Sequence, residues 1–375
     1  MRKIIFFLLL TSCTLHLSAQ NKIINKLFSK DTTRHNSFLP LPLIGYSQEA
    51  GLTLGAIGIY SFYADKNDAN IKASQAYGVL SFSTKKRVQI SFKTDVWTSG
   101  NNYHYIAEAK LLKQPFNVYG VGNSTLLVNE DEIDISRFRL NGELEKLVAK
   151  NLYLGGGLEY ENVGYTDKVA GGIYETSPNV IDKDGGQFMF FKATSFFDSR
   201  DNVPYPSKGL YAKLQYAYAP NFFGSPNFNG SLITADLRQF NKINPKLNLA
   251  VNAIYEGLIS KKPIPFYNLR QMGNDQFMRA YYSGRFRDKN MITSQAELRY
   301  RPIPRFGLVA FGGAGKVYGE NSFIDTDFKP TYGLGARIFF DLEKGLALRI
   351  DYALGEKPMG EKRISGFYLS LGEAF

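Results

Sequence analysis

The chain of 375 residues has one cysteine (Cys13), one tryptophan (Trp97) and three histidines (His16, His35, His104). A single cysteine excludes a disulfide framework. Three scattered histidines exclude a histidine-rich metal centre. Beyond the N-terminal segment no run approaches the ~18 uninterrupted apolar residues that a membrane-spanning helix needs. What is abundant is phenylalanine (29), tyrosine (24) and glycine (35). Hydrophobic residues make up 44%, yet mean hydropathy is −0.22. Aromatic enrichment without overall hydrophobicity leaves a large all-β chain, either soluble or embedded in a membrane as a barrel.

Met1 to Gln20 reads as a secretory signal. Arg2 and Lys3 form its basic start, Ile4 to Leu10 its apolar core, and Leu17-Ser18-Ala19 its small-residue exit. This predicts removal of 1–19. The rival reading is a lipobox, Leu10-Thr11-Ser12-Cys13, which leaves a lipidated Cys13. The mature protein is expected to begin at Gln20. Its N-terminal mass decides the matter, because an acylated Cys13 would establish the lipobox instead.

Without Arg2 and Lys3 the chain keeps 43 basic and 34 acidic side chains, +9. A basic exported protein can bind lipopolysaccharide phosphates or anionic outer-membrane lipid; the charge can equally belong to a solvated lumen and loops. No Lys/Arg-rich run supports nucleic-acid binding. Residues 20–40 are polar and mixed, and read as a periplasmic tether too short to fold alone.

From about Leu41 onward apolar residues recur with period two. In KLNLAVNAIYEGLI, Leu247, Leu249, Val251, Ala253 and Tyr255 share one face. In MITSQAELRYR, Ile292, Ala296, Leu298 and Tyr300 oppose Thr293, Gln295, Glu297, Arg299 and Arg301. Alternation sustained along the chain, with charges on the second face, fits a transmembrane barrel with an apolar wall and a wet lumen. Sixteen strands are predicted over 41–375: 41–47, 51–63, 73–84, 87–98, 102–113, 132–147, 151–163, 187–197, 209–219, 228–241, 246–259, 291–302, 306–318, 331–341, 345–355 and 364–375. With both ends in the periplasm, the long connections fall outside and the tight ones inside. The fold class is therefore all-β, a 16-stranded antiparallel transmembrane barrel. Segment 187–197 is ambiguous, since both its faces carry aromatics.

Enzyme signals fail. There is no G-x-S-x-G and no H-E-x-x-H. Gly313-Ala314-Gly315-Lys316 ends like a phosphate loop, but Val317 stands where Ser/Thr is required and Ala310 where the first glycine belongs. No enzyme activity and no cofactor are expected.

Three stretches carry a family resemblance. They are DSRDNVPYPSKG (Asp198 to Gly209), GNDQFMRAYYSGRFRDKN (Gly273 to Asn290), and YGLGARIFFDLEKGLALRIDYAL (Tyr332 to Leu354) with the terminal strand. Together they resemble the barrel of the BamA/TamA-type outer-membrane assembly family, also called the bacterial surface antigen family. GYSQEAGLTLGAIGIYSF (Gly45 to Phe62) is similar to that family's first hairpin. The resemblance implies that the long 260–290 loop folds back into the lumen. The family's Val-Arg-Gly-Phe/Tyr core matches Met278-Arg279-Ala280-Tyr281, in the motif that opens at Gly273. It implies that Arg279 pairs with carboxylates on the wall. The acid the family often carries in the thirteenth strand is missing from Phe311-Gly312-Gly313-Ala314-Gly315, and the lumen-facing Glu297 and Asp351 remain as candidate partners. Ala280 replaces a glycine, so a positive φ there would be strained. The turn motif (Asp198, Arg200, Asp201, Pro206, Gly209) reads as fold-defining. Phe367, Leu369, Leu371 and the final Phe375 fall on one face and resemble the family's C-terminal assembly signal.

The closing seam is expected to be weak. Pro40 and Pro42 lack donors, Gly45 packs nothing, and the last strand contains Gly366 and Gly372. An exposed edge templates another strand. The family implies assembly, insertion or translocation of proteins at the bacterial outer membrane, acting on client outer-membrane proteins. It usually carries periplasmic domains ahead of the barrel, where this chain has a short tether, so a partner supplying them is one expectation. A passive pore and a structural scaffold in a larger complex are the alternatives.

Overall fold

The computed structural model describes residues 36–68, 71–225, 227–342 and 345–375. The predicted signal segment, its lipobox and most of the predicted tether lie outside them. Among the described residues no helix is long and apolar enough to cross a membrane.

Sixteen strands close into one antiparallel barrel. They are β1 (Ser37–Ser47), β2 (Gly51–Phe62), β3 (Ser74–Ser83), β4 (Val88–Trp97), β5 (Tyr103–Val118), β6 (Asp131–Ala149), β7 (Leu152–Asp167), β8 (Gly185–Asp198), β9 (Gly209–Ala219), β10 (Gly230–Asn244), β11 (Leu247–Ile259), β14 (Asn290–Ile303), β15 (Phe306–Tyr318), β16 (Lys329–Asp341), β17 (Leu346–Leu354) and β18 (Ser365–Leu371). A small hairpin, β12 (Arg270–Met272) with β13 (Phe286–Asp288), belongs to the long connection after β11.

The barrel is inside-out relative to a soluble domain. On β14, Thr293, Gln295, Glu297 and Arg299 are buried inside while Leu298 and Tyr300 are exposed outside. Leu54, Phe82, Ile90, Phe92, Leu214 and Leu334 add to the exposed apolar wall. Period-two alternation, charged inward and apolar outward, is the pattern that lipid outside and polar groups inside impose.

The strand limits differ from the sequence prediction where the environment changes. β5 to β7 extend beyond the expected outer limits. Above Lys113 the phase inverts: Phe116, Val118, Ile133 and Ile135 are buried inside, while Lys113 and Ser136 are exposed outside. This part of the wall stands out of the membrane around an apolar filling. That filling also explains β8, where Phe188 and Phe190 pack inward against Phe228 and Tyr267 while Phe191 faces out. The expected wet lumen is therefore corrected in its outer half, which holds an aromatic core built from both wall and loop residues.

Both seam strands also depart from expectation. β1 begins at Ser37, inside the predicted tether, and pairs with β2 along its whole length. Pro40 and Pro42 fit because β1 faces β18 at a single pair, Tyr46 with Leu369, so missing donors on that side cost no ladder bond. β18 stops at Leu371 instead of continuing to Phe375.

Candidate functional site

The connection between β11 and β14 enters the lumen. Gly273 has φ +101°, and a Cβ there would lie 2.5 Å from the Tyr282 carbonyl oxygen, so the turn closes only on glycine. Gly315 on the wall leaves room for the loop, since a Cβ would meet the Met272 and Met278 sulfurs at 3.0 Å. Met272, Met278, Tyr281, Phe286, Met291 and Val317 then form a buried cluster. Met278 (φ +54°) and Ala280 (φ +96°) are both held at positive φ. Backbone of this kind costs of order 1–3 kcal/mol per residue and persists only where surrounding contacts over-determine it.

Those contacts centre on Arg279, which is fully buried between the two candidate carboxylates. Its Nη2 lies 2.6 Å from Glu297 Oε1, and its Nη1 donates to Asp351 Oδ2 at 2.8 Å. Its guanidinium covers the Phe311 ring at 3.5 Å. Each carboxylate holds a second arginine. Arg299 Nε donates to Glu297 at 2.8 Å, and Arg337 Nη1 donates to Asp351 at 2.6 Å. Burying charges requires opposite partners, and this alternating array pairs every one of them, with a hydrogen bond to each carboxylate from at least one arginine.

The array continues into the end of the chain. Arg337 Nε donates to both Glu373 oxygens, at 3.0 and 2.8 Å. Arg299 Nη2 donates to the Phe375 backbone oxygen at 3.0 Å. Gly372, at φ +80°, turns Glu373 to Phe375 into the lumen, where Ala374 and Phe375 pack on Phe240 and Ala250 of the β10–β11 wall. Of the four residues read as a C-terminal signal, Phe367 and Leu371 face out and Leu369 is half-buried. Phe375 does not share their face: it is buried inside, and Glu373 beside it is an inward ion-pair partner.

The same loop touches both sides of the seam. Gln48, in the β1–β2 turn, donates to the Ala280 and Ser365 carbonyls at 3.0 and 2.7 Å. The Ala280 amide donates to the Tyr368 hydroxyl of β18 at 3.1 Å. The Ser283 amide donates to Glu49 at 2.6 Å. Asp275 accepts from Arg349 at 2.6 Å and from Ser370 of β18 at 2.9 Å. The seam thus has one backbone pair and an internal clamp made by the loop. Sequence reasoning missed Gln48, Glu49, Asp275, Tyr368 and Glu373. It also missed Arg337 and Arg349, whose inward parity on β16 and β17 was the available signal.

The turn motif lies at the opposite, inner mouth. Asp198 accepts the Arg200 amide and guanidinium. Asp201 accepts the Ser207 and Lys208 amides. Burial pushes Asp201 up, but the Ser207 hydroxyl and these amides outweigh it and hold the carboxyl below its ordinary range. Gly209 needs its φ of +112°. Pro206, buried, follows Tyr205, which reaches Phe339 of β16 with ring centroids 4.9 Å apart. The motif shapes the inner mouth and presents no catalytic constellation.

A family model described as the Omp85 superfamily domain matches residues 65–375. Among solved structures, BamA from Haemophilus ducreyi lacking POTRA domains 1–3 aligns with TM-score 0.60 at 13% identity, over 90% of this chain and 70% of that one. CdiB from Acinetobacter baumannii gives 0.56 at 13% identity, over 90% of this chain and 59% of that one. CdiB from Escherichia coli gives 0.60 at 10% identity, over 94% and 69%. At such identities the likeness is one of fold. No curated protein sequence matches the chain. A closed barrel of this type implies the bacterial outer membrane, and the chain belongs to the Omp85 superfamily.

Proposed function

We propose that this barrel assembles, inserts or translocates proteins at the outer membrane, and that the β1–β18 seam opens sideways to do so. The observation that carries the reading is the seam itself. β1 forms eleven register pairs with β2, from Ser37 with Ser61 to Ser47 with Gly51, but only Tyr46 pairs with β18. A barrel has no free edge except where closure fails, and a free edge accepts another strand. The partner class is therefore an extended segment of a client outer-membrane or exported protein, recognised through its backbone. No cofactor or nucleotide enters this mechanism.

The passive-pore alternative is disfavoured by the aromatic core in the outer half of the lumen and by the loop and chain end that pack inside the barrel against its wall. Depletion of the protein followed by outer-membrane proteomics tests the proposal. A defined set of barrel or exported proteins should fall, with the remainder steady. An unchanged proteome, with steady conductance from the purified barrel, would instead establish a pore. An unchanged proteome with stable co-purifying partners would establish a scaffold.

A further inference from the structure

The outward wall of β4 to β8 contains a groove of about 370 Å³. Its floor is made by Ala107, Ala109 and Gly142, and its sides include Phe92, Leu140 and Leu158. Ala107 pairs with Gly142 and Ala109 with Leu140, so the small residues meet across the β5–β6 ladder. A Cβ added at Gly142 would find nothing within 4 Å, so the space is open rather than filled by neighbours. The flanking residues are exposed apolar side chains of the membrane-facing wall.

Two lysines stand above this groove. Lys113 is opposite Val88, and Lys86 lies two residues before Val88 in the β3–β4 turn. Both are exposed, and neither ammonium has a partner among the described residues. They sit where the outward face turns from apolar (Val88, Leu111) to polar (Lys113, Ser136), which is the headgroup level. Of the outward carboxylates further up β6, the nearer, Asp134, is occupied by Lys168 at 2.5 Å, and Glu132 lies two residues beyond it. Four residues separate Lys113 from Ala109, or ~13 Å along a strand. A strand tilt of ~40° makes that ~10 Å of depth. The groove therefore lies inside the outer-leaflet half of a hydrocarbon core ~30 Å thick.

We infer that this face is a binding site for a phosphorylated, multiply acylated glycolipid of the outer leaflet, the lipid A class, with a phosphate on Lys86 and Lys113 and one acyl chain in the groove. A groove alone selects nothing, because lipid tails are as apolar as leucine. Selectivity comes from fixing the phosphate and the chain together. The cationic pair at the rim distinguishes a phosphorylated glycolipid from a neutral lipid. The groove distinguishes a lipid held at one position from a general attraction of phosphate to lysine. The site is on the wall away from the seam, so it stands or falls independently of the assembly reading.

The test uses the full-length barrel, delipidated in detergent and titrated with purified lipid A, phosphatidylglycerol or phosphatidylcholine, with bound lipid read by native mass spectrometry. One lipid A should bind per barrel, at least tenfold more tightly than phosphatidylglycerol. Lys86→Ala with Lys113→Ala should weaken it at least tenfold, and Lys86→Arg with Lys113→Arg should retain it. Ala109→Leu and Gly142→Leu, which fill the groove, should weaken it similarly, provided that unheated gel mobility shows a closed barrel. Equal binding of phosphatidylglycerol, indifference to the alanine pair, or indifference to a folded groove-filled variant would each overturn the site.

Discussion

Replacing Arg279 with alanine is expected to free the 260–289 loop and lower the barrel's stability by about 3 kcal/mol. Removing one partner of a buried ion pair costs ~3–5 kcal/mol, against ~0–1 for a solvated pair. Arg279, Glu297 and Asp351 side chains are all 0% exposed, which places the pair in the first regime. The lower end applies because each carboxylate keeps a second arginine, Arg299 or Arg337. Limited proteolysis should cut the loop in the variant and spare it in the parent, and denaturant unfolding should shift accordingly. Arg279→Lys should recover only part of the loss, because an ammonium cannot reach two carboxylates with a planar fork. Glu297→Gln and Asp351→Asn, each combined with Arg279→Ala, give two double-mutant cycles, and both should be non-additive. Additivity in both would remove Arg279 from its place as the anchor.

The strand pattern was legible because lipid and lumen enforce one rule along most of the wall. It failed where the rule is suspended. Above Lys113 the wall leaves the membrane and its phase inverts, so the outer ends of β5 and β7 read short. On β8 the inner face packs on aromatics, so no polar side was visible. Parity carried Phe375 outward with Phe367, but one positive φ at Gly372 reversed it, and Glu373 was the sole hint. For the anchor, the family resemblance singled out Arg279, while parity offered Glu297 and Asp351 equally. The structure brings both to it, because the arginine has a fork to divide between them. The clamp on the seam was not legible. Gln48, Ala280 and Tyr368 are far apart in sequence and contribute backbone or hydroxyl groups, which leave no pattern in side-chain type.

Locking the seam is expected to abolish function outright. Tyr46 and Leu369 are directly opposed, so Tyr46→Cys with Leu369→Cys places two thiols across the one pair that joins β1 to β18. The described residues contain no cysteine of their own, which leaves this bond without competitors. A control pair, Ala56→Cys with Leu80→Cys, crosslinks β2 to β3, a pairing that has no reason to open. The decisive measurement is recovery of the client outer-membrane proteins in a depleted strain, with the seam variant supplied under oxidising and then reducing conditions. Sideways opening predicts no recovery while the disulfide is formed, full recovery once it is reduced, and recovery under both conditions for the control. Recovery with the seam crosslink fully formed would contradict it.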